Sequence, residues 1–193
     1  VLCARRLKTL YGLYEAVLRA TPLGATTQSL VTTLTMSGMR FDLIAFSFVL
    51  MWQKRPLPFL RQVKKLLAEN GTLLLLAEPD YGGRIDFPPA LGFLKEIFIG
   101  HIAGAGGDPF VGRRVASLLA RAGFRATTEL ASWLHFPQEG AEGAWEREWL
   151  FWQELAGFSG ALRRKIAKLE KSAAARKERL VLFPVFCAMA QPR

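Results

Sequence analysis

The chain has 193 residues, of which 51% are hydrophobic, and a formal net charge of +10. That length and apolar content can bury one sizeable core, which argues against a disordered chain and for a single domain. The apolar runs at residues 43–53 and 180–192 fall short of the roughly 18 to 20 residues of a bilayer span, so a cytoplasmic protein without membrane spans is expected.

Cys3 and Cys187 lack CxxC or Cys/His spacing, so neither a metal site nor a disulfide framework is expected. No basic flank followed by an apolar run and a cleavage site opens the sequence. A start at Val1 rather than Met suggests a fragment or a processed chain.

In chain order, Leu7, Leu10, Tyr11, Tyr14, Val17 and Leu18 fall at helical spacing, and the Thr-rich segment 21–35 reads as strand or loop. Residues 41–50 form a nearly continuous apolar run, the pattern of a strand covered on both faces. A helix over 58–69 follows, with proline in its first turn and Phe59, Leu60, Val63, Leu66 and Leu67 as its apolar stripe. Asn70-Gly71 is expected to close that helix, with Gly71 left-handed, before a second buried strand at 72–77. Strand, helix, strand in this order predicts a parallel pair with a crossover helix.

Glu78-Pro79-Asp80 ends the second strand, which makes 81–84 a loop at its carboxyl edge, where open parallel sheets bind ligands. Asp108-Pro109 marks a helix running to Ala122 and stopped by Gly123. Strands are expected at 124–134 and 179–190, with two helices between them. The first carries Trp145, Trp149, Trp152 and Leu155, read as a packing face or as a pocket wall. The second, over 161–179, sets eight Lys and Arg residues against Glu170 and Glu178 on an amphipathic pattern. A solvated face is the plain reading of those charges, with phosphate or membrane contact as alternatives. No aromatics interleave with them, which removes the stacking platform of a single-strand binder; no nucleic-acid partner is expected, and nucleic-acid binding through this helix stands as a third reading.

Several segments carry a family resemblance. "FDLIAFSFVLMW" resembles the fourth strand of class I S-adenosylmethionine-dependent methyltransferases, and "FLRQVKKLLAENGTLLLLAEPD" resembles the following helix and fifth strand. "GGRIDFPP", "GGDPFVGRRVASLLARAGF" and "ARKERLVLFPVFCAMAQ" resemble the substrate-side loop, next helix and closing strand of a small-molecule branch. The resemblance spans residues 41–191 and implies an α/β fold: an incomplete Rossmann-like sheet of parallel strands plus a C-terminal antiparallel pair, with helices on the faces. It implies a domain at 41–193 with a helical insertion at about 139–178, preceded by an atypical segment 1–40.

The same resemblance implies S-adenosylmethionine as cofactor, approached by Ala45, Phe46 and Ser47, and a small-molecule acceptor near Glu78, Asp80, Tyr81 and Arg84, with Trp149 and Trp152 on a helical cover. Phe46 reads equally as core, and Glu78 and Asp80 as strand-end caps or ion-pair partners. His101 and His135 stand isolated, as surface or hydrogen-bonded loop residues, and no catalytic residue is assigned. A complete family member opens with a strand, a glycine-rich turn and an acidic ribose partner. Residues 1–40 hold isolated Gly12, Gly24 and Gly38, with Glu15 as their one acid. Weak or absent cofactor binding is therefore expected, from a truncated or frame-disrupted gene, a cut chain or a degenerate homologue. A non-catalytic binding or scaffold protein, dimeric across the exposed sheet edge, is the alternative.

Overall fold

The computed structural model describes residues 27–38, 40–135 and 160–193. The helical stripe at residues 7–18, Cys3, and Trp145, Trp149 and Trp152 lie outside them. The first described element is a helix, α1 (Thr27–Met36), where the threonines suggested strand or loop. The Thr35 hydroxyl donates back to the Val31 carbonyl at 2.7 Å, which satisfies a β-branched residue inside a helix, and Val31 is buried. Burial and the back-bonded hydroxyl outweigh threonine's modest helix propensity.

Strand β1 (Phe41–Ser47) pairs in parallel with β2 (Leu67–Pro79), with Ile44 opposite Leu73 and Phe46 opposite Leu75. Helix α2 (Pro56–Leu66) connects them, with proline in its first turn and Phe59, Leu60, Val63 and Leu66 buried along one face. The parallel pair and its crossover helix are as the sequence suggested, but two boundaries differ. β1 stops at Ser47 because Phe48 takes a φ of 55° and Leu50–Trp52 turn into a short 3-10 helix. The helix also ends before Asn70-Gly71, and Gly71 is not left-handed. Three residues of β1, from Phe41 to Leu43, oppose the six from Leu67 to Thr72, so this stretch bulges. A Cβ on Gly71 would lie 2.8 Å from the Phe41 carbonyl oxygen and 3.0 Å from backbone atoms of Ala68.

After β2 come a 3-10 turn at Tyr81–Gly83, a short strand β3 (Ile85–Phe87) and a helix α3 (Leu94–Gly104) that the sequence did not advertise. No side chain caps α3 at its start, and only Leu94, Phe98 and Ile102 are buried, a narrow stripe within an apolar segment. The helix expected from Asp108 is shorter. Asp108 accepts from the Phe110 amide at 2.9 Å, and its own amide donates to the Met51 carbonyl, so residues 108–111 are held in a turn. Helix α4 (Val115–Ala122) follows and ends at Gly123, whose φ of 87° is the left-handed conformation common just past a helix.

Strands β4 (Phe124–His135) and β5 (Leu180–Pro192) form a long antiparallel pair. On its opposite edge β5 pairs antiparallel with β2 through its second half and with β3 through its first residues. Helix α5 (Gly160–Ala175) precedes β5 and buries Ile166, Glu170 and Ala173. The result is an α/β fold with a mixed five-stranded sheet. Burial along β5 changes sides: Val181, Phe183 and Val185 are buried in its first half, then Ala188 and Ala190. Phe183 meets Tyr81 on one face, whereas α4 packs against β4 and the second half of β5. The row Ala45, Leu74, Met189 and Thr127 occupies the face that α2 and α4 do not cover; Met189 is 51% exposed, as is Leu43 at 44%.

Gly71→Ala is expected to lower stability by about 1 to 3 kcal/mol, because the new methyl meets backbone that cannot swing aside. Urea unfolding monitored by circular dichroism measures it, and a wild-type midpoint would show that the bulge relaxes freely.

Candidate functional site

The carboxyl ends of β1 and β2 face a set of loops: residues 48–52, 80–84 and 105–114. Ala45, Phe46 and Ser47 close β1 here. Ala45 is exposed, while Phe46 is half-buried and tilts against Phe59 with ring centroids 5.5 Å apart.

Glu78 is fully buried at the end of β2. Its carboxylate accepts the backbone amides of Val49 and Leu50 at 3.1 to 3.2 Å, thereby capping the 3-10 turn after β1. Burial pushes the Glu78 carboxyl up from its ordinary value to about 7, against the amide donors, which favour the charged form. Next along the chain, Asp80 accepts from the Gly82 amide and takes a two-pronged contact from Arg113, both at 2.7 Å on the guanidinium side. Half of the Arg113 side chain is in solvent, so this pair contributes at most about 1 kcal/mol.

Tyr81 is buried between Phe183, at 4.7 Å between centroids, and Phe98, at 6.0 Å. Its amide donates to the Pro109 carbonyl. Arg84 is buried with its guanidinium 4.5 Å from the Phe98 ring centroid and forks onto Asp86 at 2.7 and 2.9 Å. Asp86 also accepts from Arg179, which reaches Glu170 of α5 at 2.7 Å and the carbonyls of Phe87 and Leu180. Burial raises the Glu170 carboxyl, opposed by Arg179, and among the described residues its Oε1 has no hydrogen-bond partner.

The four residues assigned to the acceptor side thus share one loop system, and each is engaged within the protein. Sequence reasoning missed Asp86, Arg113, Arg179 and Glu170, which complete that system; Arg113 lies in a segment already singled out, but nothing in the sequence pairs it with Asp80, 33 positions away. His101 sits half-buried in the last turn of α3. Among the described residues no group of three or more His, Cys, Asp or Glu could hold a metal ion, and no helix is long and apolar enough to cross a membrane.

No family model and no curated protein matches this sequence. Solved structures do match it. Three of them are methyltransferases by name. A provisionally named methyltransferase of Bacillus halodurans aligns at 11% identity and a TM-score of 0.48, over 81% of this chain and 66% of that one. Haemonchus contortus phosphoethanolamine N-methyltransferase 2, in complex with phosphomonomethylethanolamine and S-adenosylhomocysteine, aligns at 15% identity and a TM-score of 0.43. The same enzyme with S-adenosylmethionine gives 15% and 0.41, and in both cases the alignment covers 79% of this chain but 34% of the Haemonchus contortus protein. The chain therefore spans less than two thirds of the length of each.

Glu78 yields a pH prediction with a definite sign. A carboxyl whose folded-state pKa is raised binds its proton more tightly when folded, so its contribution to stability falls as pH rises from the ordinary value of 4.5 to about 7. The loss is on the order of 3 kcal/mol. Glu78→Gln removes this component, and the difference between variant and wild-type unfolding free energies should grow in favour of the variant between these pH values. Parallel stability curves for the two proteins would show that Glu78 does not titrate there. In the ion-pair chain, Arg179→Met leaves Asp86 and Glu170 facing each other without their shared cation, and should cost about 3 to 5 kcal/mol in the same assay.

Proposed function

We propose that this chain is a class I S-adenosylmethionine-dependent methyltransferase-fold protein whose intact form acts on a small molecule, and that the chain as it stands is weakly active or inactive. One observation carries the reading: a parallel strand, crossover helix, strand unit followed by an antiparallel pair in which the last strand inserts beside β2. That is the arrangement implied by the sequence resemblance at residues 41–191. On this reading residues 41–193 are the methyltransferase-like domain, with a helical insertion at about 139–178 after an atypical segment 1–40. Two cysteines without a disulfide framework suit a cytoplasmic setting.

Ala45, Phe46 and Ser47 are the cofactor-side residues of this reading, at the open end of β1. The described residues do not fit the whole cofactor. They offer no glycine-rich cradle for its carboxylate near β1, and the acid closest to that end, Glu78, is occupied by the Val49 and Leu50 amides. Glu78, Asp80, Tyr81 and Arg84 form the acceptor-side framework. Their internal partners make them shapers of the loop, so direct contact with an acceptor needs exchange of an existing hydrogen bond or ion pair. Trp149 and Trp152, proposed as part of a cover over this edge, lie outside the described residues.

The second reading, a non-catalytic binding or scaffold protein, is favoured by the exposed apolar side chains Leu43, on the edge strand β1, and Met189, which a second copy could cover. Calorimetric titration with S-adenosylmethionine separates the two. The methyltransferase reading expects binding near or weaker than about 1 mM, with slow label transfer at most to small alcohols, phenols or amines. Saturation at micromolar cofactor with ordinary turnover would overturn the inactive assignment. No heat at any concentration, together with a dimer in sedimentation equilibrium, would replace the enzyme reading with the scaffold.

A further inference from the structure

More than half of the surplus positive charge of this chain lies in residues 160–179, which hold Arg163, Arg164, Lys165, Lys168, Lys171, Arg176, Lys177 and Arg179 against Glu170 and Glu178. The structure sorts these charges. Arg179 and Glu170 turn inward and pair with each other, while Glu178 pairs with Arg176 at 2.7 Å. Both acids of the segment are thereby engaged, and the outer face of α5 is cationic.

Helical geometry concentrates that face further. At 3.6 residues per turn, Arg164, Lys168 and Lys171 fall on one line, opposite the buried Ile166, Glu170 and Ala173, and all three are exposed. The line extends about 10 Å along the helix axis. Its neighbours on the outer face are Ala161, Ala167, Ser172 and Ala175. α5 carries no large apolar side chain on this face, so the ridge has none of its own to insert into a lipid interface, and Ile166 and Ala173 are already committed to the core. α5 itself carries no aromatic side chain, so it offers no platform of its own for unpaired bases. A double-stranded backbone asks for neither. It presents closely spaced phosphates to whatever cations can follow them.

We propose that the Arg164, Lys168, Lys171 ridge of α5 binds the phosphate backbone of double-stranded nucleic acid without reading its sequence. This surface is independent of the methyltransferase reading. Three engaged phosphates imply that affinity for a labelled duplex of about 20 base pairs falls about 40-fold between about 50 and about 200 mM salt. Fluorescence anisotropy of the full chain measures that slope. The triple variant R164Q/K168Q/K171Q should lose most of the salt dependence and bind at least about tenfold more weakly at the lower salt. A control that removes three exposed cations elsewhere, K54Q/R121Q/R125Q, should keep the wild-type slope although its net charge falls equally. All six positions are exposed, and matching thermal midpoints would verify that both variants fold. Equal losses in the two triple variants would reduce the effect to net charge and overturn the assignment. So would an unchanged slope in the ridge variant, or retention on phosphatidylserine vesicles at salt concentrations that release the duplex.

Discussion

A buried carboxylate joins the ends of the two parallel strands, and the loops above the sheet depend on it. Glu78 sits at the end of β2 and accepts the amides that would otherwise extend β1, so the chain leaves the sheet after Ser47. The turn so formed presents the Met51 carbonyl to the Asp108 amide, and the Asp108 loop in turn presents the Pro109 carbonyl to the Tyr81 amide. Three loops distant in sequence are tied by backbone hydrogen bonds that begin at one acid. A carboxyl with no solvent access is costly to ionise, and the amides aimed at it offset part of that cost. The arrangement therefore couples loop geometry to the protonation of a single group.

A second set of buried charges fixes the opposite side of the same loop system. Arg84, Asp86, Arg179 and Glu170 alternate in sign across β3, β5 and α5, and Phe98 lies beneath the Arg84 guanidinium. Such chains are poor sources of net stability, because desolvation cancels much of the attraction. Their geometric demands are strict, however. Bidentate contact between Arg84 and Asp86 fixes the start of β3, and Arg179 fixes where β5 begins relative to α5. Burial of the charges also leaves the outer face of α5 without acidic residues facing it from its own buried side. One helix thus separates a neutralised inner network from a cationic outer ridge.

Much of the fold was legible in the sequence. The apolar runs at 41–50 and 72–77 and the proline-led stripe between them specified β1, α2 and β2, since continuous apolar strands and a one-faced helix bury well in only one order. Gly123 likewise marked the end of α4, where its left-handed φ is required. The Thr-rich segment was misread because β-branched residues lower helix propensity locally, whereas Val31 packs and Thr35 bonds back only once the helix exists. Helix α3 carried no cap and an apolar composition on every side, so periodicity could not separate it from a loop.

The candidate site was legible as a place but not as a set of partners. Strand order located the loop 80–84 at the carboxyl edge, and residue types drew attention to Glu78, Asp80, Tyr81 and Arg84. Pairing Asp80 with Arg113, or Asp86 with Arg179 across 93 positions, depends on register and loop path, which local sequence does not encode. By itself the sequence determined the α/β order, the parallel unit and the cationic helix, because periodicity and charge act over a few residues. Only the tertiary structure decided which charges are buried, which acids are neutralised and where β1 stops, because those outcomes follow from desolvation and hydrogen bonds between segments that meet only after folding.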